Sequence, residues 1–241
     1  MPLNAGIIVF PGSNCQRDCA DAVRVVLGTE PIFFESAQPI PDAQLAELAL
    51  IILPGGFSYG DYLRSGAIAK LAPVMPSVHS AAQRGVTVLG ICNGFQILTE
   101  SGLLPGALTH NASATQPNGF VCNRFEPLLI AQTHHPFTQC YSQGQQVVFP
   151  VAHGEGNYQA PEATLDELEA NNQVLLRYAR DLNGSARGIA GICNRQGNVV
   201  GLMPHPERNL WHRPELNDSG DGRRWFEGLL KALTSKNAVN V

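Results

Sequence analysis

Val86-Thr-Val-Leu-Gly-Ile-Cys-Asn-Gly-Phe-Gln96 is the stretch from which the architecture can be read. Its first six residues are almost wholly apolar or β-branched and read as a buried strand. The chain then turns sharply at Cys92-Asn93-Gly94, and residues 94–101 read as a helix ended by Gly102. Outward from this unit the same rhythm recurs. Residues 5–10 (Ala-Gly-Ile-Ile-Val-Phe) form a candidate strand closed by Pro11-Gly12. Residues 18–27 follow as a helix, with Ala22, Val23, Val26 and Leu27 on one face. Residues 31–34 and 50–53 read as strands, the second stopped by Pro54-Gly55-Gly56; residues 67–84 read as helical with interruptions at Pro73 and Pro76. Strands that are apolar throughout are buried on both faces. Alternating with helices, they predict an α/β fold: a doubly wound, mostly parallel sheet with helices on both faces. Such sheets bind ligands beyond the carboxyl ends of their strands.

The second half is less regular. Residues 120–131 and 145–152 suggest strands that could pair antiparallel, and residues 161–171 a helix. Residues 188–194 and 198–203 resemble a hairpin around Arg195-Gln-Gly197. Residues 222–235 form an amphipathic helix carrying Trp225, Phe226, Leu229, Leu230 and Leu233. No repeat, low-complexity tract or linker divides the chain, so residues 1–241 are expected to form one domain.

Composition narrows the function classes. The formal net charge is -4, which gives no basic stripe for nucleic acid. Charged residues are 15% of the chain, below the usual quarter, which leaves room for a protein interface. The apolar run at residues 5–10 is too short for a membrane span and has no basic residues before it. A cytoplasmic location is expected. The six cysteines (Cys15, Cys19, Cys92, Cys122, Cys140 and Cys193) include no CxxC pair, so reduced thiols are expected and no metal site is assigned.

One of those thiols stands in a reactive setting. Gly90-Ile-Cys-Asn-Gly94, between a strand and a helix, is the cysteine form of a nucleophile elbow. The turn pushes Cys92 out of the sheet, and the helix terminus behind it favours negative charge on the sulfur. The Asn93 N–H is unpaired at that terminus and is available to an oxyanion. Such a thiol needs a base. His205, in Met203-Pro-His-Pro-Glu207, lies just past a candidate strand with Glu207 two residues on. In an extended segment the two would point to the same side, so the carboxylate could hold the imidazole in one tautomer. Pro54-Gly55-Gly56 offers a second oxyanion donor, the amide of Gly56. Each piece alone has a plainer reading: a buried inert thiol, a loop histidine, a tight turn. Together, at strand ends, they point to a Cys92–His205–Glu207 triad.

These pieces resemble the class I, triad-type glutamine amidotransferases. The longer motifs Gly55-Gly-Phe-Ser-Tyr-Gly-Asp61, His153-Gly-Glu-Gly-Asn-Tyr158 and Met203-Pro-His-Pro-Glu-Arg208 are similar to the branch formed by glutaminase subunits of phosphoribosylformylglycinamidine synthase. The likeness runs over nearly the whole chain. It implies a flavodoxin-like architecture and hydrolysis of L-glutamine by Cys92, with His205 as base, Glu207 orienting it, and Gly56 and Asn93 as the oxyanion hole. It also implies that Gln96 helps seat the glutamine and that His153 and Gly154 line the pocket or a partner-facing loop. The ammonia is expected to pass to a separate synthetase subunit, which makes formylglycinamidine ribonucleotide with ATP and Mg, with a small bridging subunit between the two. No cofactor is expected in this chain.

Some features depart from the family pattern. Arg180-Asp-Leu-Asn-Gly-Ser185 lacks the usual proline, and segments 111–123 and 211–221 are longer than the pattern suggests. Two other classes fit less. A γ-glutamyl hydrolase or cysteine peptidase of the same architecture would need the elbow but not the His153–Tyr158 motif. A flavodoxin-like module binding an anion at Pro11-Gly-Ser-Asn14 would leave Cys92, His205 and Glu207 without a role.

Overall fold

The computed structural model describes residues 3–112, 119–213, 215 and 218–239. The lengthened segments 111–123 and 211–221 therefore fall partly outside the described residues. The first part of the chain runs β1 (Asn4–Val9), α1 (Gln16–Ala22), β2 (Ile32–Glu35), α2 (Asp42–Glu47), β3 (Leu48–Leu53), α3 (Met75–Gln83), β4 (Thr87–Ile91) and α4 (Asn93–Glu100). Next come β5 (Ala107–Thr109), β6 (Val121–Ile130), β7 (Gln146–His153), β8 (Asn157–Gln159) and α5 (Glu162–Ala170). The remainder is β9 (Val174–Tyr178), β10 (Ile189–Cys193), β11 (Val199–Leu202), β12 (His212–Arg213), β13 (Asp218–Ser219) and α6 (Asp221–Val239).

Nine strands form one sheet in the order β2-β1-β3-β4-β11-β10-β9-β6-β7. Pairing is parallel from β2 to β11 and antiparallel from β11 to β7. The expected α/β sheet is present, and its second half is the antiparallel region suggested by residues 120–131 and 145–152. Every residue of β4 is buried, and so is nearly all of β3, which requires cover on both faces. One contiguous apolar core runs through the buried residues from Leu3 to Leu233. At the antiparallel end α6 contributes Trp225, whose ring lies 5.1 Å from Phe137 and 6.2 Å, edge-on, from Phe149 of β7. No helix among the described residues is long and apolar enough to cross a membrane.

Strand order decides what meets at the carboxyl edge. β1, β3, β4 and β11 are parallel neighbours, so their carboxyl ends stand side by side. These ends lead into Pro11–Cys15, Gly55-Gly56, Cys92 and His205. β4 and β11 are in register at Gly90↔Gly201 and Ile91↔Leu202, and the Cys92 N–H donates to the Leu202 carbonyl at 2.8 Å. β7 sits five places from β4 in the sheet, yet its Pro150 carbonyl accepts the His205 N–H at 2.8 Å. The antiparallel strands therefore curl back over the carboxyl edge and close it.

Candidate active site

Cys92 sits between β4 and α4 at φ 51° and ψ −106°, a conformation L-residues rarely adopt. Strain of this kind costs of order 1–3 kcal/mol and persists only where surroundings enforce it. Here enforcement comes from close packing of the helix on the sheet. A Cβ on Gly94 would overlap the Leu53 carbonyl, and one on Gly90 would sit 2.6 Å from the Gly94 carbonyl oxygen. Cys92 is 6% exposed, and its Sγ lies 3.7 Å from the Ala152 carbonyl oxygen.

His205 and Glu207 are both buried, and His205 Nδ1 lies 2.7 Å from Glu207 Oε1. Glu207 thus fixes the proton on Nδ1 and leaves Nε2 as the basic nitrogen. Nε2 is buried with no hydrogen-bond partner among the described residues. The local geometry differs from the extended segment expected from sequence. Pro206–Arg208 is a 3-10 turn, and the imidazole–carboxylate contact is made across it. Burial alone would lower the His205 pKa, but the charges of Glu207 and Cys92 raise it well above the usual imidazole range. Gly55 lies among these side chains. A Cβ there would stand 2.8 Å from His205 Cε1, 2.9 Å from Cys15 Sγ and 3.4 Å from Cys92 Cβ.

Both expected oxyanion donors border this centre. The Asn93 amide is the first of α4 and has no partner within the helix. Gly56, at φ 149°, is a position only glycine can fill, since a Cβ would lie 2.6 Å from Ser13 Cα. The Asn93 side chain joins the two arms. Its Oδ1 accepts the Ser58 N–H at 3.1 Å, and its Nδ2 donates to Asp61 and Gln96.

A cavity of about 220 Å³ opens beside Cys92, with Gln96, His153 and Gly154 among its walls. A smaller space of about 60 Å³ shares Cys92, Gly56, Phe57, Phe120 and Ala152 with it and reaches His205. Gln96 does line the pocket, but its Nε2 already donates to the Glu155 carbonyl at 2.6 Å and its Oε1 accepts from Asn93. His153 is braced by Asn111 Oδ1 at 3.2 Å and by the Tyr178 hydroxyl at 3.4 Å. Burial, then the charge of His205, push its pKa down to about 3, so it is a neutral wall. The proline-free loop before Ser185 is clasped to the same wall: Asn183 Nδ2 donates to the Gly156 carbonyl at 2.8 Å, and Asp181 accepts the Gly184 N–H at 2.9 Å.

Sequence reasoning gave no role to several residues found here. Cys15 Sγ lies 4.0 Å from His205 Nδ1 and 3.1 Å from an Arg208 guanidinium nitrogen. Burial pushes the Cys15 thiol up despite its hydrogen bond with His205. Cys15, His205 and Glu207 place ligand-type atoms within 4.8 Å of one another. The Arg208 cation beside Cys15 and the bond from Nδ1 to Glu207 make this the setting of a base rather than a metal cage. Asp61, Ser65 and Glu155 also line the cavity. Asp61 and Glu155 stand inside motifs already quoted, but 90 residues of sequence separate Ser65 from Glu155 and only the fold joins them.

Comparison with known proteins agrees with this geometry. Residues 3–227 match the family described as the CobB/CobQ-like glutamine amidotransferase domain. A protein of Zymomonas mobilis named phosphoribosylformylglycinamidine synthase subunit PurQ is 51% identical over 96% of this chain and 100% of its own length. One of the same name from a Nostoc species is 52% identical over 95% of this chain and 98% of its own. A chain in a solved structure titled PurLQS, from Thermotoga maritima, superposes with a TM-score of 0.84 at 42% identity, covering 97% of this chain and 100% of that one. A glutamine amidotransferase from the same organism shares the fold at a TM-score of 0.58 and 15% identity, covering 98% of each chain. With its elbow cysteine, its buried imidazole–carboxylate pair and this match over nearly its full length, the chain belongs to the CobB/CobQ-like glutamine amidotransferase domain family.

Proposed function

We propose that this chain is the glutaminase subunit of a phosphoribosylformylglycinamidine synthase, acting as one domain over residues 1–241. The observation that carries the reading is the meeting of strained Cys92 with the His205–Glu207 pair at adjacent carboxyl ends of β4 and β11. Relatives about half identical over nearly their whole length carry that subunit's name.

The chemistry follows from the arrangement. His205 Nε2 takes the proton of the Cys92 thiol, and the sulfur attacks the side-chain amide carbon of L-glutamine. The carbonyl oxygen becomes an oxyanion held by the amides of Gly56 and Asn93. The C–N bond breaks, the proton on Nε2 passes to the leaving nitrogen, and ammonia departs from a γ-glutamyl thioester. Water, deprotonated by the same Nε2, then attacks the thioester and releases glutamate. The sum is glutamine plus water giving glutamate plus ammonia. Glu207 stabilises the imidazolium formed in both halves. Cys15 lies beside Nδ1 of the imidazole, and Arg208 in turn donates to the Cys15 sulfur.

The partners are a synthetase subunit and a small bridging subunit, supported by the similarity to the chain in the PurLQS structure. The synthetase would use ATP and Mg to convert formylglycinamide ribonucleotide to its amidine. Phe57 and Phe120, both pocket-lining and half exposed, suit a mouth covered by another chain. The test is glutamine hydrolysis by this chain alone and mixed with both partner subunits, ATP and the ribonucleotide. Turnover that appears or rises on mixing is expected. A verified complex with no glutamine turnover would reject the reading, and γ-glutamyl peptides would be assayed next.

A further inference from the structure

Cys15 is buried beside the reaction centre and has no step in the hydrolysis. It faces His205 Nδ1, the nitrogen held by Glu207, whereas proton transfer runs through Nε2. Its thiol donates to Asn14 Oδ1 at 3.0 Å and accepts from Arg208 at 3.1 Å. A guanidinium beside a sulfur favours the thiolate. Burial outweighs that charge and pushes the Cys15 thiol up, so at rest it stays protonated and slow to react.

The nucleophile is close by. Cys15 and Cys92 line the same small space of about 60 Å³, together with His205 and Arg208. Gly55 lies between them: a Cβ there would stand 2.9 Å from Cys15 Sγ and 3.4 Å from Cys92 Cβ. A backbone bond fixes this approach, since the Cys15 N–H donates to the Gly55 carbonyl at 3.2 Å. The absent side chain leaves the path between the two thiols open. Cys19 and Cys193 are buried on α1 and β10, and neither lines this space. The space is far below the roughly 300–1,000 Å³ of ordinary small-molecule pockets, yet it admits a molecule the size of a hydroperoxide. A reactive thiolate is oxidised first to sulfenic acid and then irreversibly beyond it, unless a neighbouring thiol captures the first product.

We propose that Cys15 is a resolving thiol, which forms a reversible disulfide with Cys92 when a hydroperoxide oxidises the nucleophile, so that glutamine hydrolysis is switched off without being destroyed. In the first step the Cys92 thiolate attacks the peroxide. An S–O bond forms, the O–O bond breaks, and the sulfur is oxidised to sulfenic acid; the departing oxygen takes the proton that His205 had accepted and leaves as water or an alcohol. In the second step the Cys15 sulfur attacks the sulfenic sulfur. The S–S bond forms, the S–O bond breaks, and the leaving hydroxide takes the Cys15 proton as water. With hydrogen peroxide, two thiols and one peroxide give one disulfide and two waters. A thiol reductant restores both cysteines by exchange. In a reducing compartment such a bond is transient, as suits a sensor.

The test treats the assembled enzyme with hydrogen peroxide, quenches with catalase, and assays amidine formation with glutamine and with ammonia. Mass spectrometry of a non-reducing digest is expected to find the Cys15 and Cys92 peptides joined, two hydrogens lighter than their sum. Glutamine-dependent activity is expected to fall at least about 10-fold and to return with dithiothreitol, while ammonia-dependent synthesis holds. In Cys15→Ser, with each rate taken against its own untreated value, the loss is expected to persist after dithiothreitol, with Cys92 as sulfinic or sulfonic acid. The mass map of the wild type needs no variant and decides the matter even if Cys15→Ser does not fold. Cys92 found as sulfinic acid with Cys15 free, Cys92 joined to Cys122 or another cysteine, or full recovery of Cys15→Ser would each overturn the proposal. Only the activity that is lost rests on the glutaminase reading: an untreated complex without glutamine turnover would overturn that reading, and the mass map would still decide the cross-link.

Discussion

At the scale of single residues, the site is held together by what is missing as much as by what is present. Gly55 has no side chain, and the atoms that would meet one belong to His205, Cys15 and Cys92. Gly55→Ala is expected to leave the fold intact and lower kcat at least about 100-fold, because misplacing a reacting group by about 1 Å has that effect. Steady-state kinetics with a thermal melt of the same sample checks this, and wild-type kcat would show that the centre has slack. Cys92, His205 and Glu207 were legible in the sequence because elbow chemistry and His-Pro-Glu spacing are local patterns. Cys15 was not. It stands 190 residues from His205, and only the adjacency of strand ends brings the two within 4.0 Å. Gln96 lines the cavity, but the engagement of its amide by Asn93 and Glu155 depends on a loop that sequence spacing cannot position.

Elements bring those residues together. α4 can lie against the sheet only because Gly94 brings no Cβ to the Leu53 carbonyl and Gly201 none to the Phe95 ring. Gly94→Ala is expected to cost about 1–3 kcal/mol, as overpacked cores do, and to lower activity by lifting Cys92 from its corner. Urea denaturation with a parallel assay measures both, and an unchanged midpoint would mean that the helix shifts freely. The strands β1, β3, β4 and β11 were legible as continuous apolar runs. The six-residue α2 was not, being too short to show helical periodicity. Residues 67–84 read as one interrupted helix; the chain instead makes a 3-10 turn at Ala69–Leu71 and starts α3 at Met75. Pro73 breaks the run, while Pro76 is accommodated in the first turn, where its missing N–H costs nothing.

Across the whole molecule, buried histidines set how stability varies with pH. His135 donates from Nε2 to the Gly197 carbonyl and accepts the Phe137 N–H at Nδ1, so both nitrogens are satisfied in the neutral form. Burial lowers its pKa to about 4, against a hydrogen bond to Gly197 that raises it, and that of His153 falls to about 3. In the unfolded chain both titrate near the ordinary 6.5, so below that value the unfolded state binds more protons. Stability from these two groups is intact above about pH 6.5 and falls with pH, by up to about 1.4 kcal/mol per unit for each. His205 works in the opposite sense: its raised pKa stabilises the fold below about 6.5, and that contribution is lost as pH rises through the folded-state value. Urea midpoints from pH 7 to 4.5 are expected to fall, and His135→Gln is expected to flatten the slope; an unchanged slope would contradict a neutral buried His135. The sequence made the α/β class legible at this scale. The curl that returns β7 over the carboxyl edge was not, because the His205–Pro150 bond joins strands far apart in both sequence and sheet.

The central claim is that Cys92 makes ammonia and does nothing else in the synthesis. Its most direct test is Cys92→Ser in the assembled enzyme, assayed for amidine formation with glutamine and, separately, with added ammonia. Loss of the glutamine-dependent reaction by at least about 1,000-fold, with the ammonia-dependent reaction at the wild-type rate, is the predicted result. Loss of both reactions in an intact complex, or retention of the glutamine-dependent one, would contradict the account.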